Sequence, residues 1–180
     1  MEPLTGNLLI ANAGLFDPNF RRSIVLVGHH DEDGAVGVVL NKPFDVPVRE
    51  AVPPLAEMVD ADELLFAGGP VEPGSVVVVA DFADPGRAQL LALGSIGFLP
   101  PEPDADVVTS IRRARVFAGY AGWGAGQLEA EIEEDSWVVE PARPADVFHS
   151  DPSRLWDEVL RRKGHRYDLL RVMPDDPAMN

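Results

Sequence analysis

The chain has 180 residues, no cysteine, and 30 Asp and Glu against 15 Lys and Arg, giving a formal net charge of −15. Non-specific affinity for nucleic acid comes from cations that neutralise phosphates, so this charge disfavours direct nucleic-acid binding. Without cysteine, disulfides, thiolate catalysis and cysteine-ligated zinc are excluded. No apolar run approaches the roughly 20 residues that span a bilayer, and the N-terminus lacks the pattern of an export signal. We therefore expect a cytoplasmic protein with no membrane partner.

The first half of the chain is rich in strand signals. Residues 8–11 form a short apolar run, and residues 23–28 and 35–40 are apolar on both parities. A run of that kind indicates a strand buried on both faces. The Asp33-Gly34 pair between the second and third runs tolerates positive φ and predicts an antiparallel hairpin. Residues 46–60, broken by Pro53-Pro54, predict two short helical pieces.

The remaining elements alternate less regularly. Strands are predicted over residues 76–82, 115–120 and 137–139, and helices over residues 104–113, from Gly124 onward, and over residues 151–164. The last helix has the clearest signals: Asp151 can cap it, Pro152 suits its first turn, and Gly164 can end it. Its apolar stripe consists of Leu155, Trp156, Val159 and Leu160.

Strands outnumber helices and come in adjacent runs. This order predicts an α+β fold, a single domain over residues 1–172 with a mainly antiparallel, strand-rich core and surrounding helices. A barrel-like closure of that core is left open. Residues 173–180 predict a frayed tail.

A glycine-rich segment at residues 119–126 separates a predicted strand from a predicted helix. Such a turn can expose backbone amides to an anion at a helix start. The spacing matches neither dinucleotide-binding nor P-loop fingerprints. The favoured interpretation is architectural: the glycines give room for Tyr120 and Trp123 to pack. Trp123, Trp137 and Trp156 are predicted to be core residues.

Residues 29–33, His-His-Asp-Glu-Asp, could suggest a metal site. Adjacent residues of a strand point to opposite faces, so His29 and His30 cannot easily share one ion. We therefore predict a solvated hairpin tip and no metal.

No nucleophile signature surrounds Ser23. Two basic clusters, at residues 112–115 and 161–166, are predicted at helix C-termini, where cations favour the helix dipole.

Several blocks in order resemble the YqgE/AlgH family of bacterial proteins. They are residues 8–11, 17–26, 34–43, 68–71 and 119–132, and the resemblance runs from about Leu4 to Gly164. It implies an α+β domain in a cytoplasmic bacterial protein, a transcriptional regulatory role by family name, and no settled activity. If the blocks share a surface, it would include Asp17, Arg22, Ser23, Asn41, Pro43, Gly69, Tyr120, Trp123, Gln127 and Glu129. Where many members have a cysteine and a glutamate, this chain has Gly28 and His29.

Two functions are weighed. The leading hypothesis is a non-enzymatic binding or regulatory domain for an unknown protein or small-molecule ligand, with no cofactor and no catalytic residue, as a monomer or weak dimer. The alternative is a hydrolase or transferase that uses the glycine-rich turn as an anion cradle with Glu129 as the acid. The predicted ligand-binding residues are Arg22, Asn41, Gly69, Tyr120, Trp123, Gly124, Gly126, Gln127 and Glu129.

Overall fold

The computed structural model describes residues 2–12, 18, 20–164, 167 and 171. Within them the chain forms ten strands: β1 (Asn7–Ala11), β2 (Ile24–Asp31), β3 (Gly34–Val39), β4 (Pro43–Pro47), β5 (Leu64–Ala67), β6 (Val71–Phe82), β7 (Leu90–Leu93), β8 (Ile96–Phe98), β9 (Ile111–Gly124) and β10 (Trp137–Pro141). The α-helices are short: α1 (Val48–Ala51), α2 (Ala105–Thr109), α3 (Gln127–Glu133), α4 (Pro144–Val147) and α5 (Leu155–Lys163). Single 3-10 segments occupy Pro53–Met58, Pro85–Arg87 and Pro152–Arg154.

The strands form one sheet that is antiparallel apart from a single pair. Its main order is β10-β1-β2-β3-β9-β6-β8-β7, while β5 pairs with β4 and runs parallel to β9. The sheet curls, and this brings β2 close to β8. A Cβ added to Gly28 of β2 would lie 2.3 Å from the ring of Phe98 in β8. Among the described strands β10 and β7 remain its two ends, so the sheet is open and the barrel-like variant is wrong. The α+β prediction is confirmed.

Successive side chains of the central strands point to opposite faces of the sheet and enter two different apolar clusters. Leu8 and Ile10 of β1 belong to one apolar cluster with the buried face of α5, whereas Leu9 and Ala11 join Leu128 of α3 on the other side. A third cluster lies around β6, β9, α1 and α2. Burial on both faces, predicted for residues 23–28, is confirmed for β2, whose first five residues are all buried.

The hairpin and the last helix also agree with the sequence. β2 pairs with β3 through Asp31 opposite Gly34, so Glu32 and Asp33 make the turn. The apolar stripe of α5 is fully buried, and Gly164 follows its last residue. At the end of α5, Lys163 Nζ donates to the carbonyl of Val139 in the outermost strand β10, 2.7 Å away. Arg162 donates to Asp146 and to the carbonyl of Pro141.

Two helix predictions need correction. The helix predicted over residues 104–113 ends at Thr109, because Ile111 already pairs with Phe82 of β6. Asp151 makes no side-chain cap, since its carboxylate accepts from the Ser153 hydroxyl instead. No described helix is long and apolar enough to cross a membrane. The frayed tail predicted at residues 173–180 lies outside the described residues.

Candidate functional site

A basic pocket of about 670 Å³ lies where β3 ends, beside the N-terminal turn of α5. We define it by its lining: Pro18, Arg21, Arg22, Asn41, Lys42, Ala67, Ser153, Trp156, Asp157 and Arg171. Four of these side chains are cationic and one is anionic. In a chain of net charge −15, this is a local reversal of sign that favours an anion.

Arg22 is fixed at this pocket by its backbone and by its side chain. Its φ is 52°, in the left-handed region that costs a non-glycine residue roughly 1–2 kcal/mol. The guanidinium lies over the Trp156 ring, with Cζ 4.6 Å from the ring centroid, in cation–π geometry. Strained non-glycine backbone of this kind concentrates at binding and catalytic sites.

Asn41 holds the strained backbone in place. Its Nδ2 donates to the carbonyl of Arg22 at 2.8 Å, and its Oδ1 accepts from the buried N–H of Ile24 at 2.9 Å. One amide side chain thereby links the end of β3 to the two residues on either side of Ser23. The Ser23 hydroxyl is fully buried and has no hydrogen-bond partner among the described residues. Asn41 is a positioning residue for Arg22.

Asp157 is the carboxylate of the pocket, and cations surround it. Arg171 donates to it from Nε at 2.7 Å, and Arg161 donates from the other side at 2.9 Å. The hydrogen bond from Arg171 lowers the pKa of Asp157, with the nearby positive charges of Arg171, Arg161 and Arg154 adding to the effect. The carboxylate therefore stays ionised and engaged with arginines, which makes it a poor proton acceptor.

His30 and Glu129 meet on another part of the molecule. His30 is buried, its Nε2 contacts Glu129 Oε1, and its Nδ1 accepts from the N–H of Leu4 at 3.0 Å. Because Nδ1 is the acceptor, Nε2 carries the proton and donates to the carboxylate. This hydrogen bond lowers the pKa of Glu129. The hairpin-tip prediction was therefore wrong for His30, although His29 and Asp31 are solvated.

The glycine-rich segment does not form the predicted turn. β9 continues through Gly124, and residues 121–124 pair with residues 34–37 of β3. Only Ala125 and Gly126 separate the strand from α3, and the N–H of Gly124 donates to Gln127 Oε1 at 3.0 Å. Most of the segment predicted to cradle an anion is thus strand, and the N–H of Gly124 is engaged by a side chain.

Trp123 is buried, as its core prediction requires. It packs against Trp137 and Phe20, and the indole N–H groups of both tryptophans point to Glu131 Oε1. Its side chain is therefore not available as exposed aromatic surface. Trp137 and Trp156 are buried too.

Gly69 is required by close packing. A Cβ at this position would lie 2.2 Å from the Tyr120 backbone, and its φ is 151°. Tyr120 itself faces a second cavity, an apolar groove of about 890 Å³. This groove is lined by Val36, Gly37, Val52, Pro54, Leu55, Glu72, Val76, Val77, Val78, Gln89, Leu90, Phe98, Leu99, Pro100, Pro101, Pro103 and Tyr120.

The predicted binding residues therefore lie in separate places. Arg22 and Asn41 share the basic pocket, Tyr120 and Gly69 lie by the apolar groove, and Gly124, Gly126, Gln127 and Glu129 surround the start of α3. Of the other residues in the resembling blocks, Ser23 is buried and Pro43 is exposed. Asp17 lies outside the described residues.

The two basic clusters of the sequence are paired with acids. The first lies in β9, not at a helix end, and there Arg115 is buried against Glu63 at 2.8 Å. The second, over residues 161–163, does end α5, where Arg162 contacts Asp146 at 2.8 Å. Among the described residues, no group of three or more His, Asp and Glu side chains is arranged to hold a metal ion.

Sequence reasoning missed Arg21, Lys42 and Arg171 as members of the basic pocket. Each lies outside the two basic runs, in three stretches far apart along the chain. The available signal was their position: Arg21 precedes Arg22, and Lys42 follows Asn41, inside the blocks that carried the family resemblance.

The sheet, its peripheral helices and this pocket define a single-domain α+β protein. The chain belongs to the AlgH-like family, whose model matches residues 8–168. A UPF0301 protein of Streptomyces avermitilis is 42% identical over 192 residues, covering 100% of this chain and 97% of that protein. A UPF0301 protein of Thermobifida fusca is 40% identical over 193 residues, covering 98% and 96%. The predicted resemblance is confirmed.

Solved structures agree with the fold. The crystal structure of a Corynebacterium diphtheriae protein superimposes with a TM-score of 0.84 at 30% identity, covering 96% of this chain and 94% of that one. The solution structure of the AlgH protein from Pseudomonas aeruginosa gives a TM-score of 0.71 at 29% identity, covering 95% and 94%. These two proteins therefore share the overall fold of this chain.

Proposed function

We propose that this chain is a non-enzymatic binding domain whose basic pocket recognises a small anionic compound. The observation that carries the proposal is the convergence of Arg21, Arg22, Lys42 and Arg171 on one cavity of about 670 Å³. A volume of this size lies within the range of small-molecule sites, roughly 300–1,000 Å³. The cations come from separate stretches of an otherwise strongly acidic chain.

Preorganisation supports binding at this place. The Arg22 guanidinium is stacked on Trp156, and its backbone is held by Asn41 before any ligand arrives. An arginine fixed in this way loses less side-chain entropy when an anion binds. Its planar fork matches the oxygen geometry of carboxylates and phosphates, which a lysine cannot match in the same way.

The chemistry of the pocket favours recognition over turnover. Its carboxylate, Asp157, is ionised and engaged by Arg171 and Arg161, so it is poorly suited to take a proton. The hydroxyl of Ser153 donates to Asp151 and has no imidazole beside it among the described residues of the lining. A nucleophile needs an adjacent base and an orienting group. Most of the glycine-rich segment on which the hydrolase or transferase alternative depended is part of strand β9.

The test is a titration of the full chain with inorganic phosphate, pyrophosphate and citrate. Binding is measured by calorimetry and by tryptophan fluorescence. Trp156 lines the pocket, while Trp123 and Trp137 belong to a separate cluster. We expect at least one anion to bind and to change the fluorescence. In Trp156→Phe the fluorescence change should be lost, although calorimetry still detects heat.

Variants locate the binding. Arg22→Gln should weaken the affinity by about tenfold or more, because a charge-assisted hydrogen bond contributes roughly 1.5–3 kcal/mol. Arg112→Gln is the matched control, since Arg112 is an exposed arginine outside the basic pocket. Equal affinities of the wild type and Arg22→Gln, or no binding of any of the three anions, would refute the proposal.

A further inference from the structure

The apolar groove leaves aliphatic side chains open to solvent on an acidic protein. Val36 of β3 is 37% exposed and Val76 of β6 is 43% exposed, and both line the same groove. Because these two valines share one groove, a single partner can cover both, whereas aliphatic residues exposed singly are ordinary. Tyr120 adds an aromatic ring with a polar tip, a residue type that is enriched where binding energy concentrates.

The groove is distinguished from the basic pocket by its charge. The described residues that line it include no lysine or arginine, and Glu72 is the charged residue among them. Glu72 is exposed and has a φ of 45°, and no other described residue forms an ion pair with it. Glu102 lies exposed between Pro101 and Pro103, which both line the groove. An occupant should therefore combine apolar side chains with positive charge.

The backbone at the groove indicates the shape of the occupant. β8 pairs with β6 only from Val79 to Asp81, and the N–H of Leu99 then donates to the carbonyl of Val78. Beyond Val78, towards Val76, no described strand flanks this side of β6. An open strand edge pairs readily with an added extended segment, whose alternate side chains then enter the adjoining pockets.

We propose that the apolar groove docks an extended segment of a partner protein that carries alternating apolar side chains and a lysine or arginine opposite Glu72. Pro54, Pro100, Pro101 and Pro103 make the groove wall rigid, so little ordering is needed when the segment binds. The inference is independent of the anion proposed for the basic pocket.

A phage-displayed library of random short peptides, selected on the immobilised full chain, tests this site. We expect enriched peptides to alternate apolar and polar residues and to carry more Lys and Arg than Asp and Glu. The affinity of a selected peptide should fall by about tenfold or more for Val76→Lys and for Glu72→Lys. The matched control is Phe44→Lys, because Phe44 is 44% exposed and lies outside the groove.

A charge exchange makes the test specific. Replacing the basic residue of the selected peptide by glutamate should abolish its binding to the wild-type protein. The same glutamate peptide should bind the Glu72→Lys variant. Circular dichroism and melting curves check that each variant is folded. The inference is overturned if no peptide is enriched, if enriched peptides are acidic, or if they bind Val76→Lys unchanged. It is equally overturned if the groove instead joins two copies of this chain, seen as a dimer that Val76→Lys dissociates.

Discussion

Replacing Asn41 by alanine tests whether one amide holds the strained end of the basic pocket. The change removes two hydrogen bonds, one from Asn41 Nδ2 to the Arg22 carbonyl and one from the Ile24 N–H to Asn41 Oδ1. Ile24 is fully buried, so its N–H is left without a partner at a cost of roughly 1–3 kcal/mol. The lost bond to the half-buried Arg22 adds roughly 0.5–1.5 kcal/mol.

Together these effects should lower the free energy of unfolding by about 1.5–4.5 kcal/mol. For a chain of this length that corresponds to a Tm lower by about 3–18 °C. The assay is urea denaturation, with the slope on denaturant compared between variants so that a change in stability is separated from a change in exposed surface. Because Arg22 is released, the anion affinity should fall as well.

Asn7→Ala is the matched control for this prediction. Asn7 makes a single side-chain hydrogen bond, at 3.2 Å to the carbonyl of Leu4. Its removal should cost no more than about 1 kcal/mol. The reasoning is refuted if Asn41→Ala unfolds within about 0.5 kcal/mol of the wild type, the usual scatter for an ordinary surface substitution.

Three further outcomes are expected. Arg22→Gly should unfold with a free energy about 1 kcal/mol higher than Arg22→Ala, because glycine adopts positive φ without strain; equal denaturation midpoints would contradict this. Ser23→Ala should keep or raise the melting temperature, since it removes a buried hydroxyl that no described residue partners, and a clear loss of stability would be the contrary result. Glu129→Gln should be less stable than the wild type at neutral pH. The hydrogen bond from His30 lowers the pKa of Glu129, so its stabilising effect is present above its ordinary pKa and disappears as the pH falls through the lowered value. Melting curves over a pH series check it, and a stability difference that persists in strong acid would argue against it.

Local sequence patterns were sufficient to predict elements whose structure depends mainly on residues within the same short segment. The two-sided apolar run of β2 predicted a strand buried on both faces, and Asp33-Gly34 predicted its hairpin with β3. The same prediction for β3 was wrong at Val36, which is 37% exposed. The stripe of α5 predicted which face it buries. In each case the periodicity and the turn chemistry lie within a few residues.

Two features that the sequence did not predict depend on contacts between residues far apart in the chain. Residues 119–124 look like a turn locally, yet pairing with β3 and β6 extends β9 through them. Arg115 belongs to a conspicuous basic run but pairs with Glu63, whereas the cations of the basic pocket are scattered at Arg21, Lys42 and Arg171. A run of basic residues in the sequence shows how many charges are present locally. Which charges lie close together in space depends on the fold.

The contacts that α5 makes with β10 have a consequence for self-association. Outermost strands are templates for aggregation, since their free carbonyls and amides can recruit a strand of another molecule. Here Lys163 and Arg162 occupy the carbonyls of Val139 and Pro141 with charged donors. Truncating the chain before α5 would therefore uncover a polymerising edge together with an apolar face, and the product would precipitate as fibrils or amorphous deposits before its loss of stability could be measured.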